Sequence, residues 1–186
     1  MASLQLNTEQ KKTLIDIAKK TIASAVNNKS IPDFKISDES LNLKCGAFVT
    51  IHKNGNLRGC IGHIIGTTAL YKTITKMAVE AALHDPRFGP VALGELKDID
   101  IEISVLSPFE KITDINEIEV GVHGIFIKNG YYQGLLLPQV ATEYNWDRKE
   151  FLEHTCQKAG LPGECYKGKS CEIFIFSATV FGEKDF

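Results

Sequence analysis

At 186 residues the chain is long enough for one domain, or for two small lobes around a shared core. Its composition is 44% hydrophobic and 24% charged, with no tract poor in apolar residues, which excludes a disordered chain. The formal charge of −2 argues against a protein built to grip phosphate backbones, so nucleic acid is not an expected partner. No apolar run is long enough to span a bilayer and no signal-like apolar stretch opens the sequence, so a cytoplasmic protein without membrane contact is expected.

Residues 8–27 read as an amphipathic helix, with Leu14, Ile17, Ala18, Thr21, Ile22, Ala25 and Val26 at helical spacing. Asn7 or Thr8 can cap it, and Gln10 can reach back to Asn7. Ile31-Pro32-Asp33 breaks the pattern. Cys45–Ile51 is β-prone and meets Asn54-Gly55, the dipeptide of a type I′ hairpin turn, from which a second strand carries Leu57–Ile61. A helix over about 68–83 buries Leu70, Ile74, Met77, Ala78, Ala81 and Ala82, and His84-Asp85-Pro86-Arg87-Phe88 ends it.

Residues 98–106 alternate strictly, Ile99, Ile101, Ile103 and Val105 against Asp98, Asp100, Glu102 and Ser104, which predicts an antiparallel strand with one wet face. A second hairpin surrounds Asn129-Gly130. Pro138 opens a short helix to Tyr144, and a helix over 147–159 buries Phe151, Leu152, Cys156 and Ala159, with Gly160 closing it. Residues 172–181 read as one last apolar strand. The order lacks a regular βαβ rhythm, so the expected class is α+β, a two-lobed single domain with mainly antiparallel sheet flanked by helices. The whole chain, 1–186, forms that unit, and no internal boundary is readable.

The five cysteines, at 45, 60, 156, 165 and 171, form no C-x-x-C pair. Reduced thiols are expected; Cys165 and Cys171, flanking Gly168, are the pair considered for a local disulfide. Cys60 stands apart, in Leu57-Arg58-Gly59-Cys60-Ile61-Gly62-His63. Glycine is unfavourable in a strand unless a bulge, a bend or a close approach wants it, so Gly59 and Gly62 suggest that something nears this backbone. A thiolate is favoured by nearby positive charge, and strand alternation would set Arg58 on the face of Cys60. Cys60 is a candidate nucleophile and His63 its candidate base; the alternative is a small buried cysteine beside an ordinary histidine. With His52 across the hairpin, the same residues include soft metal donors, but no spacing demands a metal and none is assigned.

Asp85 and Arg87 form a second cluster. They are either a fork for a carboxylate or phosphate, or a structural corner in which Asp85 caps backbone N–H groups while Arg87 makes an ion pair. Glu80 precedes His84 by one turn on the same helix face. Trp146, the sole tryptophan, is core or pocket wall. No phosphate-binding Gly-rich loop, serine elbow or H-E-x-x-H occurs.

These motifs together resemble the AMMECR domain family, named after a human chromosomal-region protein. The resemblance is carried by Gly46–Thr50, Leu57–Gly62, Asp85–Phe88 and Ile101–Leu106. It continues through Gly121–Ile125, Leu137–Ala141, Trp146 and Lys158–Leu161, in family order over almost the whole chain. Without the long N-terminal extension of animal members, the chain is similar to the compact bacterial and archaeal form. The resemblance implies a two-lobed α+β fold with the Leu57–Gly62 motif near the cleft between lobes. It marks Arg58, Cys60, Asp85, Arg87, Gln139 and Trp146 as a cleft set, which Gly59 and Gly62 join for the close approach they permit; it names no cofactor and implies association with Memo-like and radical-SAM proteins. Two readings follow: a thiol-dependent enzyme acting on a small molecule or a modified protein, or a non-catalytic partner presenting the same cleft.

Overall fold

The structure, a computed structural model, describes residues 5–186. The chain divides into two compact units, the first made of residues up to 106 together with 179–186, the second of 107–178. Both are α+β, each an antiparallel-built four-stranded sheet with helices packed on it.

In the first unit α1 (Thr8–Val26) starts where Asn7 accepts from the Gln10 backbone and the Gln10 side chain accepts from Asn7 N–H, the expected reciprocal cap. A short α2 (Glu39–Asn42) follows, capped by Asp38, too brief to show a period in the sequence. Strands β1 (Ala47–Lys53) and β2 (Asn56–His63) form the expected hairpin, and Asn54 and Gly55 both take positive φ, at 52° and 78°, as a type I′ turn requires. Then come α3 (Leu70–Leu83) and β3 (Ile99–Leu106), and β8 (Ala178–Gly182) returns to complete the sheet in the order β2-β1-β3-β8. The stripes of α1 and α3 bury Leu14, Ile17, Ala18, Ile22, Ile74, Met77 and Ala81 against Ala47, Val49, Ile51, Ile101, Ile103 and Val105 on one sheet face. The opposite face of β3, expected to be wet, is only partly so: Asp100 and Glu102 are half-buried and Ser104 is buried.

The second unit has β4 (Glu110–Ile112), β5 (Gly124–Asn129), β6 (Tyr132–Leu136), α4 (Pro138–Glu143), α5 (Arg148–Lys158) and β7 (Glu172–Phe176), with strand order β4-β7-β5-β6. Its helices cover Ile125, Ile127, Leu136, Ile173 and Ile175 with Phe151, Leu152 and Cys156. The second hairpin uses its Asn-Gly pair one register away from the first: Asn129 pairs with Tyr132, so Gly130 and Tyr131 are the turn residues.

Two expectations are corrected. The apolar run 172–181 is two strands, because Ser177 leaves the ladder, exchanging hydrogen bonds with Ser107, and the chain changes sheets there. The thiols are not all reduced. Cys156 and Cys165 form a disulfide, since α5 and the turn at 165–167 bring their Cα atoms to 6.0 Å, a proximity that spacing along the chain does not reveal. Cys171 remains a thiol.

Candidate functional site

The geometry around Cys60 begins with a bulge. A regular two-residue hairpin closing at Lys53 and Asn56 would pair Cys60 with Val49, on the helix-covered face. Instead His52 pairs with Leu57 and Ile51 with Gly59, leaving Arg58 as the extra residue. Beyond the bulge every residue is shifted by one, and such a shift exchanges faces. Gly59 turns to the helices and Cys60 pairs with Thr50 on the other face, in line with Phe48 and His52.

This explains the glycines. A Cβ on Gly59 would lie 2.3 Å from the Ala81 carbonyl oxygen of α3, and one on Gly62 would lie 2.2 Å from the Phe48 ring. The close approaches implied by the sequence are therefore to the protein's own helix and ring. The bulge also re-aims Arg58 away from Cys60. Its Nε and Nη2 donate to the two oxygens of Glu95 at 3.1 and 3.0 Å, and Nη1 and Nη2 reach the carbonyls of Gly89 and Pro90. Lys53 Nζ and Ala92 N–H also donate to Glu95, and these donors, Arg58 foremost, hold its carboxyl well below the usual carboxylate range.

Strand β2 is an edge strand, and the Asp85–Arg87 corner occupies its open side. The Cys60 N–H donates to Asp85 Oδ2 at 2.8 Å, and Arg87 Nη2 donates to the Cys60 carbonyl at 3.1 Å. A carboxylate and a guanidinium thus stand in for the missing neighbour strand. Asp85 is 3% exposed and also accepts from Arg87 N, Nε and Nη2. The Arg87 guanidinium first, with the backbone N–H groups of Cys60 and Arg87, holds its carboxyl far below the ordinary range, and Asp85 in turn raises Arg87. Arg87 Nη1 takes no part in these bonds, and the side chain is about half exposed, at 53%. Its guanidinium lies over the Phe88 ring at 5.5 Å.

The Cys60 sulfur is partly exposed and accepts a hydrogen bond from Thr50 Oγ1 at 3.2 Å. His63 is three residues on in regular register, so alternation sends it to the face opposite Cys60. The histidine on the sulfur's face is His52, whose Nδ1 lies 4.0 Å from Asp100. Cys60, His52 and His63 therefore do not converge, and among the described residues no three His, Cys, Asp or Glu side chains are arranged as a metal set. The Glu80 carboxylate lies 3.2 Å from His84 Nδ1, where it can accept from the ring N–H, an exposed pair at the end of α3.

Gln139 and Trp146 belong to the second unit. Gln139 sits in the first turn of α4, where its carbonyl accepts from Thr142 Oγ1. Asn145, at φ 54°, ends α4 with the Trp146 N–H bonded back to Ala141 O, and this closure places the indole in a ring column. Trp146 stacks on Tyr144 at 4.9 Å and on His154 of α5 at 3.9 Å. Sequence reasoning missed Thr50 and Glu95. The first is found only once the bulge is known; the second left no cap signature, since Ala92 has no side-chain acceptor and offers the Glu95 carboxylate only its N–H.

The fold and this edge-strand site define an α+β protein whose signature strand is clamped by an Asp-Pro-Arg corner. The AMMECR1 family profile matches residues 15–181, and the chain belongs to that family. It is 41% identical to a protein of Methanothermobacter thermautotrophicus, over 96% of each chain, and 44% identical to one of Methanosarcina barkeri, over 92% of this chain and 89% of that one. The crystal structure of an uncharacterized protein from Pyrococcus horikoshii superposes with a TM-score of 0.89 at 36% identity, covering 96% of this chain and 94% of that one. Among the described residues no helix is long and apolar enough to cross a membrane.

Proposed function

We propose that Cys60 is the working group of this protein, a thiol that adds as thiolate to a carbonyl carbon of a small anionic substrate: the C–S bond forms as the C=O π pair moves onto oxygen, which takes up the proton the thiol released. One observation carries the reading: the sulfur is turned out of the core by the bulge and receives the Thr50 hydroxyl, while the backbone of the same residue is fixed from its open side. A nucleophile held in place is one requirement of covalent catalysis, and a hydroxyl that donates to the sulfur would also stabilise its thiolate. The uncommitted Nη1 of Arg87 is the group proposed to receive the substrate's acidic end. The register of β2 takes His63 to the other face, which supports a reading without it as the base.

The test is competitive alkylation of the folded protein with iodoacetamide near neutral pH, read by peptide mapping. Cys60 is expected to react well before Cys45, which is buried and whose thiol burial pushes up. Reaction of Cys60 no faster than Cys45 removes thiol catalysis.

A second reading, a non-catalytic partner of Memo-like and radical-SAM proteins, is favoured by the way Arg58 and most of Arg87 are spent on acceptors of the same chain. A complex that survives Cys60→Ser, together with an unreactive Cys60, selects it.

A further inference from the structure

The second unit carries sulfur chemistry independent of Cys60. Cys156 lies fully buried on α5, among Phe151, Leu152, Ile127 and Ile173, and is bonded to Cys165 in the turn at 165–167. The free thiol of Cys171, the residue before β7, has its sulfur 3.6 Å from that of Cys165. Cys165 is thus flanked by two sulfurs, one bonded and one in contact. Two successive backbone turns hold the contact: Gly168 N–H donates to Cys165 O at 3.0 Å and Cys171 N–H to Gly168 O at 3.1 Å. Neither bond involves Cys156, so the turns keep Cys171 beside Cys165 whichever sulfur Cys165 is bonded to.

We propose that these three residues form an intramolecular thiol–disulfide exchange site that switches the tether of the 165–171 turn between helix α5 and strand β7. The Cys171 sulfur, as thiolate, attacks Cys165 Sγ; the Cys171–Cys165 bond forms as the Cys165–Cys156 bond breaks. The electron pair leaves on Cys156 Sγ, which takes up the proton that Cys171 released. One thiol and one disulfide exist before and after, so no oxidant or reductant is consumed. In the exchanged form the turn is closed on itself across Gly168, α5 is released from it, and the free thiol lies inside the core. Burial, with the adjacent Glu172 carboxylate, pushes the Cys171 thiol up, so less of it is thiolate and the attack is slow.

Connectivity mapping tests this. Protein purified without reductant is denatured in acid with N-ethylmaleimide, which freezes exchange and labels every free thiol, and is digested with pepsin. The expected result is two linked species, Cys156–Cys165 and Cys165–Cys171, with label shared between Cys171 and Cys156. In Cys171→Ser only the Cys156–Cys165 link should appear, with Cys156 unlabelled. Label confined to Cys171 in the native chain overturns exchange, as does a protein in which all three cysteines are labelled.

Discussion

If Asp85 and Arg87 clamp the edge of β2, removing the carboxylate should destabilise the first unit by an amount the geometry sets. Two oxygens of Asp85 accept four N–H groups: one from Cys60 and three from Arg87. The Arg87 backbone donor contributes about 1 kcal/mol, and stranding the Cys60 N–H costs about 1.5 kcal/mol. The guanidinium's share is small, because Arg87 is half exposed and screened by solvent; about 0.5 kcal/mol is reasonable. Asp85→Ala should therefore cost about 3 kcal/mol. Asp85→Asn should cost nearly as much, about 2 kcal/mol, because an amide sets its own donors where four donors already converge. The assay is urea unfolding followed by far-UV circular dichroism, with Trp146 emission recorded in parallel as a reporter of the second unit. The sign with pH is fixed. The folded carboxyl lies below its unfolded value, so its stabilisation is complete above about pH 4 and is lost as pH falls through the folded value. The gap between wild type and Asp85→Asn should be full at neutral pH and shrink in acid. A gap below about 0.5 kcal/mol at pH 7, or one that widens in acid, refutes the clamp.

Glycines near the bulge separate two mechanisms in the same assay. Gly59→Ala drives a methyl into the Ala81 carbonyl and should cost about 3 kcal/mol, since a helix backbone must move. Gly55→Ala meets no atom within 4 Å but sits at φ 78°, so conformational strain alone should cost roughly 1 kcal/mol. Glu95→Gln removes the charge that gathers Arg58, Lys53 and Ala92 N–H. With side chains 16–17% exposed at the Arg58 contact, the expected loss is about 1–2 kcal/mol, shrinking in acid with the same sign as Asp85. Equal stability of wild type and Glu95→Gln at neutral pH would show that the Gly89–Glu95 segment is held by Arg58's carbonyl contacts alone.

Local signals were legible in the sequence where a residue's role depends on its neighbours within a turn or two. The Asn7–Gln10 cap, the Asn54-Gly55 turn, the stripes of α1 and α3 and the end of α5 at Gly160 are all of that kind. The capping of backbone N–H groups by Asp85 was legible too, as one of two readings, whereas the acid that Arg87 pairs with was not named by its neighbours in sequence. What escaped depends on register. One inserted residue at Arg58 decides which face Cys60, Gly59 and His63 occupy, and nothing in a hairpin's composition counts the residues of a bulge. Strict alternation therefore placed Arg58 beside Cys60, where the structure sends it to Glu95. The sheet change at Ser177 and the Cys156–Cys165 bond escaped for a related reason: both are set by partners far away in the fold, not by the segment itself.

The bulge also makes Cys60 unusually separable as a test of function. Its ties to the fold run through the backbone: N–H to Asp85, carbonyl to Arg87, and the ladder to β1. Among the described residues its side chain has one hydrogen bond, received from the Thr50 hydroxyl. Cys60→Ser keeps every backbone bond and puts an oxygen where that hydroxyl still finds an acceptor. The substitution should change stability by less than about 0.5 kcal/mol in the unfolding assay that reports Asp85→Ala at about 3 kcal/mol. Any loss of turnover or of ligand capture in Cys60→Ser can then be assigned to sulfur chemistry, because the strand edge, the clamp and the bulge are unchanged. A Cys60→Ser protein as unstable as Asp85→Ala would mean that the side chain itself holds the edge together. The thiol would then be packing, and the glycines around it would have no further role than to seat β2 against α3 and Phe48.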